Sequence, residues 1–250
     1  MPVKSDLKNS CMRYIDINCD MGEGIGNDAL VMPYIHSANI ACGFHAGDES
    51  SMNDTIRLAM KYGVKIGAHV SYLDKPNFGR TEMYLSPVEV YELVYTQLTL
   101  LKNIANKNSA ALVHVKPHGS LYNMSARDPQ LAKTIANAVK DFEPTLVLFG
   151  LSGSHSISEA SKTGLKTASE VFADRTYQED GSLISRSKPN ALLTDVEQVI
   201  SQVKEIAEAG VVTTSTGKKI SVVAETVCIH GDSPHAIEFA KAIHHTLSSQ

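Results

Sequence analysis

Short apolar runs alternate with longer stretches of helical periodicity along this sequence, and few folds accommodate that pattern. The apolar runs predict seven β-strands, at 13–18, 38–42, 64–69, 111–116, 145–150, 165–171 and 220–229. Helices are predicted at about 27–36, 50–62, 86–107, 127–142, 152–163, 194–209 and 234–247. Strands that alternate with helices usually form parallel sheets through right-handed crossovers. The chain is therefore expected to be an α/β protein, either a (β/α) barrel or an open doubly wound sheet.

Local signals support several of these boundaries. Helix starts are indicated by Ser86-Pro87, Thr194-Asp195 and Ser233-Pro234. Helix ends are indicated by Gly63, Gly164 and Gly210. A turn at Thr216-Gly217 predicts a hairpin between 211 and 223. No linker rich in Pro, Gly or Ser interrupts the 250 residues, so we expect a single barrel domain over 1–250.

Charge and cysteine content exclude several classes of partner and location. The chain has 27 acidic and 23 basic residues with no long block of either sign, which argues against nucleic acid or an anionic membrane as a partner. Residues 1–12 lack the apolar stretch of a signal peptide, and no run of 18 apolar residues occurs. The four cysteines form no close pair, which is typical of a reduced protein. We therefore expect a soluble, cytoplasmic protein.

Polar residues are concentrated directly after six of the seven predicted strands. The segments are NCDMGEG (18–24), CGFHAGD (42–48), HVSYLD (69–74), KPHGSLYN (116–123), EVFADR (170–175) and CIHGD (228–232). A (β/α) barrel builds its active site from the loops at the carboxyl ends of all its strands, whereas an open sheet uses mainly the strands beside one crevice. The wide distribution of these segments favours a barrel, distorted and with about seven parallel strands.

Strand alternation assigns polar side chains to the inside of this barrel. In the first strand Asp16, Asn18 and Asp20 share one face, and Ile15 and Ile17 share the other. The fourth strand places His114, Lys116 and His118 opposite Val113 and Val115. Burying unpaired polar groups costs several kcal/mol each, so a polar interior indicates a hydrogen-bonded network or a functional site.

Four histidines lie just beyond predicted strands, with carboxylates nearby. The histidines are His45, His69, His118 and His230, and the carboxylates are Asp20, Asp48 and Asp232. Any one such histidine is explained by loop bracing, but four at equivalent positions favour proton transfer or binding of a divalent metal. No H-E-x-x-H motif is present to identify zinc.

Further candidates have both structural and chemical explanations. Lys116 could bind an anion or form a Schiff base, or it could pair with Asp16 or Asp20; the following Pro117 is expected to end strand pairing and to turn His118 away. Glu170 with Asp174-Arg175 could supply a carboxylate base and a guanidinium that binds a carboxylate or phosphate, and Arg80 and Arg186 are similar candidates. Cys42 and Cys228 are expected to be buried packing residues. Neither G-x-G-x-x-G nor a P-loop motif occurs, so we predict no self-contained nucleotide site of these kinds.

Seven ordered segments resemble the LamB/YcsF family. They are IDINCDMGEGIG (15–26), NIACGFHAGD (39–48), GAHVSYLD (67–74), FGR (78–80), VKPHGSLYN (115–123), EVFADRTYQEDGSLISR (170–186) and CIHGDSPHA (228–236), and the likeness extends over about 14–243. The resemblance implies a distorted TIM-like barrel of the glycoside hydrolase/deacetylase type. The family is associated with the A subunit of the bacterial ATP-dependent 5-oxoprolinase, which converts 5-oxo-L-proline to L-glutamate. The resemblance thus also implies partner subunits B and C, which would bind the ATP.

Under this hypothesis the chemistry belongs to the barrel mouth. The expected catalytic residues are Asp20, Glu23, His45, His69, Lys116 and His118. The expected substrate-binding residues are Asn18, Asp48, Arg80, Glu170, Arg175, His230 and Asp232. Asp20 or Glu23, with His45, would activate water or transfer protons, whereas His69, His118 and Lys116 would stabilise the oxyanion. Arg175 or Arg80 would hold the substrate carboxylate.

Two alternatives remain open at this point. A metal-dependent deacetylase or amidohydrolase could use Asp20, His45 and His69 as ligands and act without ATP. A non-catalytic protein could instead serve its partners as a scaffold or ligand sensor. Metal content would separate the first alternative from the ATP-dependent enzyme, and the activity of site variants would separate the second.

Overall fold

The structure is a computed structural model that describes residues 14–248. The segment 1–12, which includes Cys11, and the first residue of the strand predicted at 13–18 lie outside the described residues. Within residues 14–248, no helix combines the length and apolar character needed to cross a membrane.

Seven parallel strands close into a barrel around which the helices pack. The barrel strands are β1 (Asp16–Met21), β2 (Ser37–Ala41), β3 (Lys65–Val70), β4 (Leu112–Pro117), β5 (Val147–Leu151), β6 (Lys166–Phe172) and β9 (Thr226–Ile229). They are hydrogen-bonded in that order, and β9 closes the barrel by pairing with β1. The expected TIM-like barrel of seven parallel strands is therefore confirmed, and the open doubly wound sheet is wrong.

Eight helices of the described chain connect or flank these strands. They are α1 (Asp28–Val31), α2 (Glu49–Tyr62), α3 (Pro87–Lys107), α4 (Gly119–Arg127), α5 (Pro129–Phe142), α6 (His155–Thr163), α7 (Val196–Ala209) and α8 (Ala236–Ser248). Two of them begin with a reciprocal capping box, formed by Asp48 with Ser51 in α2 and by Ser86 with Glu89 in α3. The predicted glycines do end α2, α6 and α7.

Three predicted elements differ from the structure. The first helix is a four-residue helix followed by a 3₁₀ turn at Met32–Tyr34, because a proline follows at Pro33. The segment after β4, expected to be a loop, forms α4 before α5 begins at Pro129. The run predicted as one strand at 220–229 is divided into β8 (Lys219–Ser221) and β9. As predicted, β8 forms an antiparallel hairpin with β7 (Val211–Thr213).

The two faces of β1 show why the barrel interior is polar. Ile17, Cys19 and Met21 are fully buried in the apolar core between the sheet and the helices. The alternate residues Asn18 and Asp20 hydrogen-bond to side chains from other strands of the barrel. The interior is therefore filled by side chains that pair with one another, as in other small barrels.

A bulge interrupts the same alternation in β4. Ile66 of β3 pairs with Leu112, whereas the next residue, Gly67, pairs with His114, so Val113 is an extra residue. Val113 is 38% exposed instead of packing on the outer helices. The bulge nevertheless preserves the inward orientation of His114 and Lys116.

A long segment, residues 173–225, separates the neighbouring strands β6 and β9. It contains α7 and the β7–β8 hairpin, and its first part is tied together by the bridges Arg175–Leu192 and Tyr177–Leu183. Because β6 pairs directly with β9, this segment starts and ends at adjacent points of the barrel. It rises over the carboxyl ends of the strands and forms one wall of the cavity described below.

Candidate active site

Lys116 is the centre of a charged network inside the barrel. Its Nζ lies 3.0 Å from Asp20 Oδ1, 2.9 Å from Glu170 Oε1 and 3.2 Å from Asn18 Oδ1. Burial alone lowers the pKa of this amine, but the nearby carboxylates, chiefly Asp20, outweigh it and hold the pKa well above 10.5. Lys116 is therefore an ammonium ion, which suits electrostatic stabilisation and not Schiff-base formation. Asp16, the other partner considered from the sequence, pairs with Lys65 instead.

Two asparagines extend this network between strands. Asn18 donates to Glu170 Oε1 at 2.9 Å and to the Thr226 hydroxyl. Asn39 donates to both Asn18 Oδ1 and Asp20 Oδ1. Asn18 and Glu170, predicted to bind substrate, thus lie deep in the barrel and are fully buried. The contacts of this buried network hold the side chains of Lys116 and Asp20 in position.

Three of the predicted histidines meet beside Asp20. His69 Nε2 lies 2.9 Å from His118 Nδ1 and 3.3 Å from Asp20 Oδ2. His45 stacks on His118 with a ring-centroid distance of 3.9 Å and an interplanar angle of 9°. Contrary to expectation, His118 does not turn away after Pro117, because Pro117 still pairs with Val70 and the His118 amide donates to the Val70 carbonyl. The expectation that Asp20, His45, His69 and His118 converge is confirmed.

The outer nitrogen of each imidazole has a partner that fixes its tautomer. His69 Nδ1 faces the Lys116 carbonyl at 3.0 Å, and His118 Nε2 faces the Phe78 carbonyl at 2.9 Å. His45 Nδ1 faces the Ser71 hydroxyl, which itself donates to the Tyr72 carbonyl. Since each of these partners accepts a hydrogen bond, each outer nitrogen carries the proton. In the neutral imidazoles, the inward nitrogens therefore carry lone pairs.

Glu23 completes the group from the loop after β1. Its Oε1 lies 3.2 Å from His45 Nε2 and 3.7 Å from His118 Nδ1. Ligand atoms of Glu23, His45, His69 and His118 all lie within 4.8 Å of one another. These four buried residues, here called the His–Glu cluster, could hold a divalent metal ion.

Burial sets the protonation of this group. It raises the pKa of Glu23 well above 4.5, with further contributions from the negative charges of Asp20 and Asp232. It lowers the pKa of His45 to about 2, together with the neighbouring His69. Burial also tends to raise the pKa of Asp20, but His69 and Lys116 outweigh it and hold that pKa well below 3.8. The site thus combines an ionised carboxylate with a second carboxyl group that is readily protonated.

A cavity of about 1020 Å³ opens above these groups. Five residues of the barrel line it: Asp20, His69, Lys116, His118 and His230. Residues 178 and 180–187 line it from the segment between β6 and β9. The other charged side chains around it are the basic Arg80, Arg127, Arg175 and Arg186 and the acidic Glu82 and Asp180, of which Glu82 pairs with Arg127. A small anionic substrate fits this combination of volume and charge.

Arg80 and Arg175, the two arginines predicted to bind a carboxylate, differ in their ion-pair partners. Arg80 is exposed and pairs with Asp232 at 2.5 Å. Arg175 is only 4% exposed and donates to the carbonyls of Ile184 and Ala191. No carboxylate of residues 14–248 lies within ion-pairing distance of Arg175, and burial lowers its pKa to about 10. Arg175 is therefore the better placed of the two to bind an anion.

Three other predicted residues make contacts outside the cluster. His230 lies in the cavity wall and its Nδ1 contacts Asp174 at 2.9 Å. Asp232 pairs with Arg80 and, at 3.4 Å, with Arg186. Asp48 is exposed and accepts from the Ser51 amide as the cap of α2. The structure thus gives Asp48 a helix-capping contact, while His230 and Asp232 remain near the mouth.

Several residues of the site were not singled out from the sequence. They are Asn39, Ser71, Tyr122 and the Phe78 carbonyl. Asn39 could have been found from strand parity, since it alternates with Ala38 and Ile40 in β2. Tyr122 could not, because it requires α4: its hydroxyl lies beside Glu170, and burial and that carboxylate raise its pKa well above 10.

The fold and this site define a (β/α)-barrel protein with a buried acid–imidazole centre at the carboxyl ends of its strands. The sequence model of the LamB/YcsF family matches residues 15–250. The chain belongs to the LamB/YcsF family, as the resemblance of its segments had indicated.

Relatives in this family are similar over nearly their whole length. The A subunit of 5-oxoprolinase from Shouchella clausii is 52% identical over 237 residues, which cover 93% of this chain and 94% of that protein. The protein of the same name from Bordetella pertussis is 49% identical over 234 residues, covering 92% and 93%. Their shared name describes those relatives as parts of a multi-subunit enzyme.

Solved structures agree with the fold. The crystal structure of the lactam utilization protein from Thermus thermophilus matches with a TM-score of 0.88 and 39% identity, covering 95% of this chain and 97% of that one. A GH113 β-1,4-mannanase matches with a TM-score of 0.52 and 11% identity over 96% of this chain and the whole of the other. The second likeness shows a shared barrel fold alone.

Proposed function

We propose that this protein is the A subunit of an ATP-dependent 5-oxoprolinase, which opens 5-oxo-L-proline to L-glutamate together with subunits B and C. The observation that carries the proposal is the near-complete alignment, at about half identity, with relatives of that name. The site supports it, because a polar barrel mouth suits a small carboxylate substrate when it contains a buried arginine that has no carboxylate partner within residues 14–248. The lactam would occupy the cavity above Lys116 and His69.

Hydrolysis of a lactam requires activation of both the amide carbonyl and the water. Water adds to the carbonyl carbon, the C–N bond breaks, and the ring nitrogen takes up a proton. The amide is resonance-stabilised, so transfer of a phosphoryl group from ATP to its oxygen, with release of ADP, would make the carbon more reactive. Addition of water and cleavage of the C–N bond would then leave an acyl phosphate, which a second water would hydrolyse to glutamate and inorganic phosphate. Subunits B and C would supply that phosphorylation, since neither a P-loop nor a G-x-G-x-x-G motif occurs in this sequence.

The residues of this chain divide between proton transfer and charge stabilisation. Asp20, Glu23 and His45 are assigned to activation of water and to proton transfer to the nitrogen. Lys116 is assigned to the oxygen that develops negative charge; His69 and His118 would join it only as imidazolium ions or through a bound cation, because their inward nitrogens otherwise carry lone pairs. The buried ammonium of Lys116 lines the cavity and is held in place by two carboxylates, so it is oriented before substrate binds.

Arg175 is assigned to the substrate carboxylate, with Arg80 as the other candidate. Arg175 is buried in the cavity wall with no carboxylate partner among the described residues, whereas Arg80 is already paired with Asp232. A charge-assisted hydrogen bond from a buried guanidinium contributes about 1.5–3 kcal/mol to binding. This contact would orient the ring with its carbonyl towards the His–Glu cluster.

We place the reaction in the cytoplasm. Cys19, Cys42 and Cys228 are free, buried thiols, a state that suits a reducing compartment. ATP is also available there to the partner subunits.

The decisive experiment is ATP-dependent formation of glutamate from 5-oxoproline by the three purified subunits. Asp20→Ala and His45→Ala are expected to abolish it without loss of the folded barrel, as judged by circular dichroism. His235→Ala, which removes an imidazole that pairs with Glu238 on the surface, serves as the matched control. Full activity of the Asp20 or His45 variant would remove that residue from the chemistry.

The same assay separates the alternatives. Amide hydrolysis by the isolated chain without ATP would favour the metal-dependent amidohydrolase. Unchanged activity of both variants in an assembled complex would favour a scaffold or sensing role.

A further inference from the structure

The inward-facing atoms of the His–Glu cluster cannot all remain as they stand without a cation between them. The tautomers fixed by the Lys116 carbonyl and the Phe78 carbonyl leave a lone pair on each of two nitrogens, His69 Nε2 and His118 Nδ1, which are 2.9 Å apart. Glu23 Oε1 lies 3.7 Å from the second nitrogen, and Asp20 Oδ2 lies 3.3 Å from the first. Such a group of acceptors is repulsive unless positive charge lies among them.

Acidic groups outnumber cations beside the His–Glu cluster. Asp20, Glu23 and Glu170 are three buried carboxyl groups, and the Lys116 ammonium lies within 3.0 Å of two of them, Asp20 and Glu170. Glu23 has no such contact with Lys116 and faces the imidazoles instead. A cation among the ligand atoms would give Glu23 a counter-ion.

We propose that Glu23, His69 and His118 bind a divalent transition-metal ion of the zinc type, so that the barrel is a metalloprotein. This inference rests on the proposed function only for its catalytic meaning, because the ligand geometry stands without it. Two histidines and one glutamate are one of the ligand sets of catalytic zinc, in which a fourth position stays open to water or substrate. Zinc–nitrogen bonds of about 2.0–2.1 Å give tetrahedral ligand separations of about 3.3 Å. The observed separations of 2.9 and 3.7 Å bracket that value.

Ring orientation selects His118 over His45 as the second imidazole ligand. The planes of His69 and His118 are nearly perpendicular, at 83°, so they can intersect at one ion. The planes of His45 and His118 are nearly parallel, at 9°, so one ion cannot lie in both. His45 is therefore not a ligand of the proposed ion: it packs flat against His118 and contacts Glu23.

The outer contacts of the two histidines match those of metal ligands. A ligating histidine usually donates its other N–H to a carboxylate, a backbone carbonyl or water, which fixes the ring and its tautomer. His69 and His118 both donate to backbone carbonyls, at 3.0 and 2.9 Å. The nearby group of Asp20, Cys228 and His230 is a poorer candidate, because the Lys116 ammonium already contacts both Asp20 Oδ1 and Cys228 Sγ at 3.0 Å.

The experiment measures metal binding by the chain alone. The protein is stripped with a chelator, and Zn²⁺ is then titrated by calorimetry, with Co²⁺ absorption as a second probe of ligand geometry. We expect about one ion per chain. His69→Ala and His118→Ala should weaken binding by at least about 100-fold, the upper end of what loss of an outer-shell partner alone costs. Glu23→Gln should weaken it and alter the Co²⁺ spectrum, whereas His45→Ala should retain one ion at reduced affinity.

His155→Ala is the matched control, since His155 lines the same cavity outside the cluster, and it should bind like the parent chain. Stoichiometric binding that His69→Ala and His118→Ala leave unchanged would overturn the proposal, as would no binding by the folded, stripped chain. Metal binding without oxoprolinase activity would retain this inference and reject the proposed function. Full activity of the stripped complex, assayed with chelator present, would retain the function and reject a catalytic ion.

Discussion

Lys116 Nζ lies 2.9 Å from Glu170 Oε1, and both side chains are almost completely buried inside the barrel. We expect Lys116→Met to lower the free energy of unfolding by about 3–5 kcal/mol, because it leaves buried carboxylates without their counter-ion. Urea unfolding at pH 7 measures the loss. The double variant Lys116→Met/Glu170→Gln should recover part of it, and a double variant no more stable than the single one would contradict this explanation.

The contact between Asp174 and His230 predicts a dependence of stability on pH. Burial tends to raise the pKa of Asp174, but His230 and the nearby arginines outweigh it, so the folded pKa lies below 3.8. A folded pKa below the unfolded value means that the ionised carboxylate stabilises the fold above about pH 4, and that this contribution is lost as the pH falls through the folded pKa.

Asp174→Asn should therefore cost about 1–3 kcal/mol of unfolding free energy at pH 7 and less at pH 3. Urea unfolding at the two pH values measures the difference. The exposed Asp54→Asn is the control and should change stability little at either pH. A cost for Asp174→Asn that stays constant between pH 7 and pH 3 would show that its ionisation does not stabilise the fold.

Gly67 leaves room for the His114 ring inside the barrel. A Cβ at position 67 would overlap the imidazole of His114, which bonds to Asn39 and stacks on Phe149 at 4.3 Å. Gly67→Ala should destabilise the protein by about 1–3 kcal/mol through overpacking. In the double variant Gly67→Ala/His114→Ser, the loss of stability on thermal unfolding should be smaller than the sum of the losses in the two single variants. A loss equal to that sum would show that the added Cβ does not clash with the His114 ring.

Arg175 predicts a specific effect on substrate affinity. Arg175→Lys should raise KM for 5-oxoproline about 10- to 100-fold in the reconstituted complex, the equivalent of one lost charge-assisted hydrogen bond. Arg80→Gln should raise KM less, because Arg80 is already paired with Asp232. The reverse order of the two effects would assign the substrate carboxylate to Arg80.

The cysteines are expected to be inert in the folded protein. Burial raises the pKa of Cys42 to about 12 and raises the pKa values of Cys19 and Cys228 well above 9. In a Cys11→Ser variant, a thiol reagent at pH 8 should find no reactive group before denaturation and all three thiols afterwards. Rapid reaction of Cys228 in the folded protein would contradict this expectation and would indicate that its thiol can act as a nucleophile.

Strand parity and strand ends were enough to predict the barrel and the convergence of four key residues. Asp20, His45, His69 and His118 each lie at or just beyond the end of a strand, so closing the barrel brings them together whatever the loop conformations. The alternation of side chains along the first and fourth strands also predicted that Asn18 and Lys116 face the barrel interior. Both predictions follow from the alternation of side chains along a β-strand and from the parallel arrangement of the strands, and a single sequence indicates both features.

Features that depend on tertiary contacts could not be predicted in this way. Helix α4 forms from a glycine-containing segment whose sequence indicates a loop, and it brings Tyr122 beside Glu170. The tautomers of His69 and His118 depend on carbonyls of Lys116 and Phe78, which no side-chain pattern reveals. The same holds for Arg175, whose lack of a carboxylate partner becomes apparent only from its neighbours among the described residues.

The segment 173–225 leaves the barrel after β6 and returns to it at β9, the strand with which β6 pairs. Its residues 178 and 180–187 face the cavity, whereas Asp20, His69, Lys116 and Glu170 belong to the barrel strands β1, β3, β4 and β6. Changes of length or sequence within 178–187 would reshape the recognition surface without shifting any strand register. Substrate range and reaction chemistry are thus under separate structural control, and protein engineering could alter the first while conserving the second.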